Sequence, residues 1–162
     1  MSTWWQHLGE KLGEDFSGLT DPAIMLRLCV RLLLAVLLGG VVGYQREQTG
    51  KAAGVRTHML VSLGAALLVL AGEQAGMAWA DVSRIIQGIV TGIGFLGAGT
   101  ILKKYDEGHI RGLTTAAGIW LTAAIGVAAG LGREAVAILG TLFAIVVLVL
   151  IPHVSATSEP PR

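Results

Sequence analysis

The sequence predicts an all-α protein: a polytopic membrane bundle of five transmembrane helices behind an N-terminal amphipathic helix. Three observations predict it. Of the 162 residues, 53% are hydrophobic and 14% charged, with a mean hydropathy of +0.68, far more apolar than a soluble domain of this size requires. The apolar residues gather in runs of about 17 to 22, and a helix of about 18 residues rises roughly 27 Å, close to the hydrocarbon thickness of a bilayer. No run alternates apolar and polar residues over a strand's length, so helices are the expected spanning solution.

The chain is expected to divide into an extension (1–22), a transmembrane domain (23–151) and a disordered tail (152–162). In the extension, Glu10, Glu14, Asp15 and Asp21 stand where a signal peptide needs basic and apolar residues, so the segment is expected to stay on the protein. Trp5, Leu8, Leu12, Phe16 and Leu19 recur at three- and four-residue spacing, the pattern of an amphipathic helix, with Trp4 and Trp5 suited to the headgroup layer. Asp21 and Pro22 read as an N-cap and first helical position for a span from Ala23 to about Tyr44. Arg27 and Arg31, four apart, share one face of it, and Gly39 and Gly43 form a close-packing patch near its far end.

A basic loop, residues 45–58, leads to a second span from about Met59 to Ala78. Trp79 to Arg84 reads as a turn in which Asp81 or Ser83 caps the next helix. The third span, about Ile85 to Leu102, carries five glycines: Gly88, Gly92, Gly94, Gly97 and Gly99. In water each would cost roughly 1 kcal/mol relative to alanine, whereas in lipid they let backbones approach closely. They lie near two helix faces, which predicts a central third helix with one bare face against Gly39/Gly43 and one against the fourth span. That fourth span, about Leu113 to Leu131, places Thr114, Gly118, Thr122, Gly126 and Gly130 at every fourth position. A fifth runs from about Ala135 to Ile151.

Lysines and arginines orient the chain. Seven (Arg46, Lys51, Arg56, Lys103, Lys104, Arg111 and Arg162) fall on one side and three (Lys11, Arg84 and Arg133) on the other. The positive-inside rule then predicts an outer N-terminus and a cytoplasmic C-terminus.

Gly92 to Gly97, GIGFLG, satisfies G-x-G-x-x-G, but it lies mid-span without a preceding strand, so no nucleotide site is expected. Every carboxylate sits at or near a membrane end, and His58, His109 and His153 read as loop residues without metal-ligand spacing. No metal, cofactor, nucleic-acid or catalytic site is therefore predicted. Cys29, the sole cysteine, cannot form an internal disulfide. Two polar clusters are expected instead. The outer one comprises Arg27, Arg31, Glu73, Asp81 and Arg84, with Arg31 approaching Glu73 or Asp81 and Arg84 pairing with Asp81. The cytoplasmic one comprises Arg46, Glu47, Arg56, Thr57, Arg111, Thr114 and Thr115.

Four segments together resemble one family: RLLLAVLLGG, GVVGYQREQTGKAAGVRTHMLVSLGAAL, RIIQGIVTGIGFLGAGTIL and RGLTTAAGIWLTAAIGVAAGLG. They are similar to successive signature blocks of the MgtC/SapB family of bacterial inner-membrane proteins. The resemblance extends from Arg31 to Gly132. It carries the family signature onto Arg46, Glu47, Gly54, Arg56 and Thr57, onto Gly92, Gly94, Phe95, Gly97, Ala98 and Gly99, and onto Arg111 to Ala116. It implies a protein linked to growth in low magnesium and, in some intracellular pathogens, to survival in macrophages. It also implies a regulator or interaction partner rather than a magnesium pump.

Gln45 and Ala53 depart from the glutamate and proline that many relatives carry, so a role for an acidic pair in that loop does not transfer. Better-studied members have a cytoplasmic regulatory domain after the last span. Its ligand sensing is expected to be lost here or supplied by another chain. The leading expectation is a non-enzymatic membrane protein that contacts the bilayer and a membrane-protein partner or further copies of itself, with the cytoplasmic cluster as its recognition or headgroup surface. The rival is a small ion or solute transporter or channel with the third span lining the path.

Overall fold

A computed structural model describes residues 4–8, 21–103 and 110–156. The chain falls into two compact units, residues 1–30 and 31–162.

In the first unit, residues 4–8 are helical, and the rings of Trp4 and Trp5 stack with centroids 3.7 Å apart. Leu12, Phe16 and Leu19, the remainder of the expected amphipathic stripe, lie outside the described residues. Helix α1, Pro22–Gln48, begins in this unit. Its first turn is capped by Asp21, whose Oδ1 accepts from the Ala23 N–H at 2.8 Å. Pro22 lacks an N–H, which costs nothing at that position.

The second unit is a helical bundle. It contains the rest of α1, α2 (Val55–Gln74), α3 (Trp79–Gly99), α4 (Leu113–Gly130) and α5 (Glu134–Ala156). The α3–α4 connection carries a two-residue antiparallel ladder, β1 (Leu102–Lys103) against β2 (Ile110–Arg111). Helices α1 to α4 are each long and apolar enough to cross a membrane, and α5 is a shorter apolar helix over Glu134–Leu150. The large apolar side chains Leu33, Leu37, Leu60, Phe95, Phe143 and Leu150 point outward, as lipid-facing residues do.

Helices α1, α2 and α4 end alike, at Gly50, Gly76 and Gly132, each with φ of 66 or 67°. In each the N–H two residues past the cap reaches back five positions, as from Lys51 to the Arg46 carbonyl at 3.0 Å, which satisfies a terminal carbonyl. The left-handed conformation costs glycine no Cβ clash.

The element boundaries differ from expectation where local chemistry outweighs hydropathy. Trp79 to Arg84 is the first part of α3, not a turn, and the N-cap is Ala78. Asp81 and Ser83 are therefore helical, and Ser83 Oγ donates back to the Ala80 carbonyl at 2.7 Å. Helix α2 starts four residues early, because the Glu47 carboxylate accepts from the Val55 N–H across the loop at 2.9 Å. Helix α3 stops at Gly99, since Leu102 and Lys103 are extended. Helix α5 continues through Pro152 to Ala156, beyond the expected end at Ile151.

The core is built from small residues. One cluster joins Ala35, Val42, Ala66, Ile125, Ala129, Ala137 and Ala144, and another joins Ala53, Ala65, Ile93, Ile119 and Ala123. Helix α2, rather than the third span, is the shared neighbour. A Cβ at Gly39 would lie 2.6 Å from the His58 carbonyl oxygen, and one at Gly43 would lie 2.7 Å from Val55 Cα. From the other side, a Cβ at Gly126 would meet the backbone of Ser62, and one at Gly130 would lie 2.8 Å from the Ala66 carbonyl oxygen. The expected α3 partnership is thus replaced: both glycine faces press on α2. Helix α3 meets α4 through Ile93 and Gly97, whose Cβ position is 3.6 Å from Ala116 Cβ. Gly88, Gly92, Gly94 and Gly99 face open space.

Candidate functional site

The most unusual chemistry lies where α1, α2 and α4 meet, near the basic loops. Gly43 and Arg46 lie on one face of α1, His58 and Ser62 on one face of α2, and Thr115, Gly118 and Thr122 on one face of α4. The glycines bring the three backbones close enough to enclose the polar side chains between them. Arg46 is 3% exposed, His58 and Ser62 are 0% exposed, and Thr115 and Thr122 are also buried.

Arg46 Nη2 donates to Thr115 Oγ1 at 3.1 Å. His58 Nδ1 lies 2.9 Å from the Gly54 carbonyl oxygen, which can only accept, so Nδ1 carries the proton. His58 Nε2 faces Gly118, whose Cβ position is 3.6 Å away. Thr122 Oγ1 donates to the Gly118 carbonyl at 2.8 Å. Arg46 Nε, His58 Nε2 and Ser62 Oγ are buried and have no hydrogen-bond partner among the described residues. Arg46 forms no ion pair there either: Glu47, its sequence neighbour, turns to the Val55 N–H. Enclosing a guanidinium without a carboxylate costs several kcal/mol unless something else meets its charge.

The expected cytoplasmic cluster therefore splits. Arg46 and Thr115 are buried in the bundle rather than displayed as a recognition surface. Glu47, Arg56 and Thr57 are exposed around a polar hollow of about 330 Å³ that includes Gly54. Arg111 and Thr114 are exposed too. His58, expected in a loop, is instead in the first turn of α2, buried against α1 and α4. Sequence reasoning missed it and Ser62. Their four-residue spacing, continued by Ala65, Ala66, Val69 and Gly72, was the available signal of an inward face.

At the opposite end, Arg31 Nη1 donates to Glu73 Oε2 at 2.8 Å and to the Gly130 carbonyl at 3.1 Å. It ties α1 to the last turns of α2 and α4, where a cation also suits the helix dipole. Arg84 Nη1 is 2.9 Å from Asp81 Oδ1, with 77% and 49% of the two side chains exposed, a surface pair of small energetic weight. Arg27 belongs to the first unit and is exposed.

The third feature is the bare side of α3. A groove of about 530 Å³ runs between α2 and α3, lined by Leu60, Gly64, Leu68, Gly88, Gly92 and Leu96. None of Gly64, Gly88 and Gly92 has an atom within 4 Å of its Cβ position, and Phe95 beside them is 82% exposed. The G-x-G-x-x-G match lies inside this helix. Among the described residues, no three His, Cys, Asp or Glu side chains converge as a metal cage would require.

A bundle of long apolar helices, close-packed through glycine and alanine, defines a polytopic α-helical membrane protein. More narrowly, residues 32–157 match the model of the MgtC family, and the chain belongs to that family. It is 42% identical to protein SrpB of Synechococcus elongatus, an alignment covering 76% of this chain and 74% of that one. It is 43% identical to YhiD of Escherichia coli strain K12, over 74% of this chain and 58% of the relative. To protein MgtC of Salmonella typhimurium it is 41% identical, over 75% of this chain and 51% of the relative. The chain thus spans only a little over half the length of the latter two. No solved structure matches.

Proposed function

We propose that this chain is a non-enzymatic inner-membrane interaction protein, acting through helix–helix contacts with partner membrane proteins in adaptation to low magnesium or host stress. The observation that carries this reading is the bare glycine side of α3. In the bundle Gly39, Gly43, Gly126 and Gly130 are covered by α2, whereas Gly88 and Gly92 stand opposite Gly64 across an open apolar groove. Glycines that offer a backbone without a neighbour suit a helix supplied by another chain, because association in lipid rests on close van der Waals packing. The magnesium context comes from the family and from YhiD, whose name proposes a magnesium transporter. The lysines and arginines of the loops support a cytoplasmic C-terminus.

The test is site-specific crosslinking from Gly88→Cys and Gly92→Cys, in a Cys29→Ser background, in native membranes at low and high magnesium. A discrete partner adduct at these positions is expected. No adduct at either magnesium level refutes the reading. Ion flux in proteoliposomes that Gly92→Leu abolishes replaces it with the transporter reading, in which α3 lines the path.

A further inference from the structure

We propose that the polar hollow between Glu47 and Arg56 binds the headgroup of a phospholipid that carries a primary amine, as ethanolamine phospholipids do, with Arg56 and Thr57 on the phosphate and Glu47 on the ammonium. The hollow has a volume of about 330 Å³ and is lined by Glu47 near the end of α1, Gly54 in the connection, and Arg56 and Thr57 in the first turn of α2. Its walls carry opposite charges that do not meet. Among the described residues neither Glu47 nor Arg56 has an ion pair, and the Thr57 hydroxyl has no hydrogen-bond partner. The Glu47 carboxylate is held in place from two sides: Oε2 accepts from the Val55 N–H at 2.9 Å, and an added Cβ at Gly54 would fall onto it. Oε1 keeps its acceptor sites for a ligand.

The charge pattern selects the ligand. A phosphate group alone meets Arg56 but is repelled by Glu47 across the same hollow. A zwitterion meets both. The guanidinium fork suits phosphate oxygens, and a primary ammonium has three N–H donors for the remaining carboxylate oxygen. A quaternary amine has none and gains only the charge attraction.

Position selects a membrane lipid over a soluble headgroup. Tyr44, one turn of α1 before Glu47, is 62% exposed, and tyrosine at the end of a span marks the headgroup layer. Leu60, one turn of α2 beyond Arg56, is 68% exposed and offers the acyl chains an apolar surface on the membrane side of the hollow. The hollow shares no residue with the groove between α2 and α3, so the crosslinking result at Gly88 and Gly92 leaves this site untouched.

The test is native mass spectrometry of the full chain in detergent, titrated with phosphatidylethanolamine or phosphatidylglycerol of the same acyl composition. Wild type is expected to retain one ethanolamine lipid about tenfold more tightly than the glycerol lipid. Glu47→Gln keeps an acceptor for the Val55 N–H but loses the charge, so the two lipids should bind alike. Arg56→Gln, on an exposed and unpaired side chain, should fold normally and weaken the ethanolamine lipid about tenfold. Arg84→Gln, at the opposite end of the bundle, should change neither affinity. Equal wild-type affinity for the two lipids, or a preference that survives Glu47→Gln, overturns the proposal, as does an Arg56→Gln chain that binds like wild type. Displacement of the lipid by an equal concentration of soluble phosphoethanolamine overturns the assignment to a membrane lipid.

Discussion

Substituting alanine for glycine separates the covered glycine faces from the bare one, and it does so with opposite signs. At Gly126 an added Cβ falls onto the Ser62 backbone, with Ser62 Cα 2.8 Å and its carbonyl carbon 2.9 Å away. Neither is the free end of a side chain, so α2 and α4 must move apart. Overpacking of this kind costs about 1–3 kcal/mol, and more where backbone must shift. The gain in helix propensity returns roughly 1 kcal/mol. The expected net effect of Gly126→Ala is therefore a loss of up to about 2 kcal/mol, and more to the extent that the backbone shifts. At Gly92 the same methyl meets nothing within 4 Å, so only the propensity term acts and Gly92→Ala should stabilise the isolated chain by up to about 1 kcal/mol. Reversible denaturation in mixed micelles, followed through the four tryptophans, measures both. Equal effects at the two positions, or a destabilised Gly92→Ala at high dilution, refute the assignment of α2 as the shared helix and α3 as the bare one.

Three further outcomes follow from the polar contacts. Arg31→Ala removes the bond to Glu73 and also leaves the Gly130 carbonyl unmet, so it should cost about 1–3 kcal/mol, whereas Glu73→Gln should cost less than about 1 kcal/mol. Gly132→Ala strains a φ of 66° and places a methyl on the Arg31 guanidinium, so it should lose about 1–2 kcal/mol in the same denaturation assay. Thr115→Val takes away the bond to the buried Arg46 and should cost about 1.5–3 kcal/mol, while Thr114→Val, on the exposed side, should stay within about 0.5 kcal/mol.

The helical class, the existence of each helix and the cap at Asp21 were legible from residues alone. Each depends on a local property: the length of an apolar run, a carboxylate before a proline, a loss of apolar period. The stretch QREQTGKAAGVRTH was harder. Its polarity suggested a loop from 45 to 58, yet only about six residues turn, because α1 runs on to Gln48 and Glu47 starts α2 at Val55. A cap supplied from eight residues upstream leaves no spacing signature of the usual kind.

What the sequence determined by itself was therefore how many helices form, that they suit a membrane, and which of their faces carry small residues. Tertiary structure decided which of those faces meet. A glycine stripe states that a neighbour can come close without naming it, and the stripes of α1, α3 and α4 were equivalent on that count. Helix α2 joins two of them because its inward residues, Ser62, Ala65 and Ala66, are small enough to receive a backbone on either side. The same choice encloses Arg46 and His58, which polarity alone assigns to the surface. It leaves the glycines of α3 open.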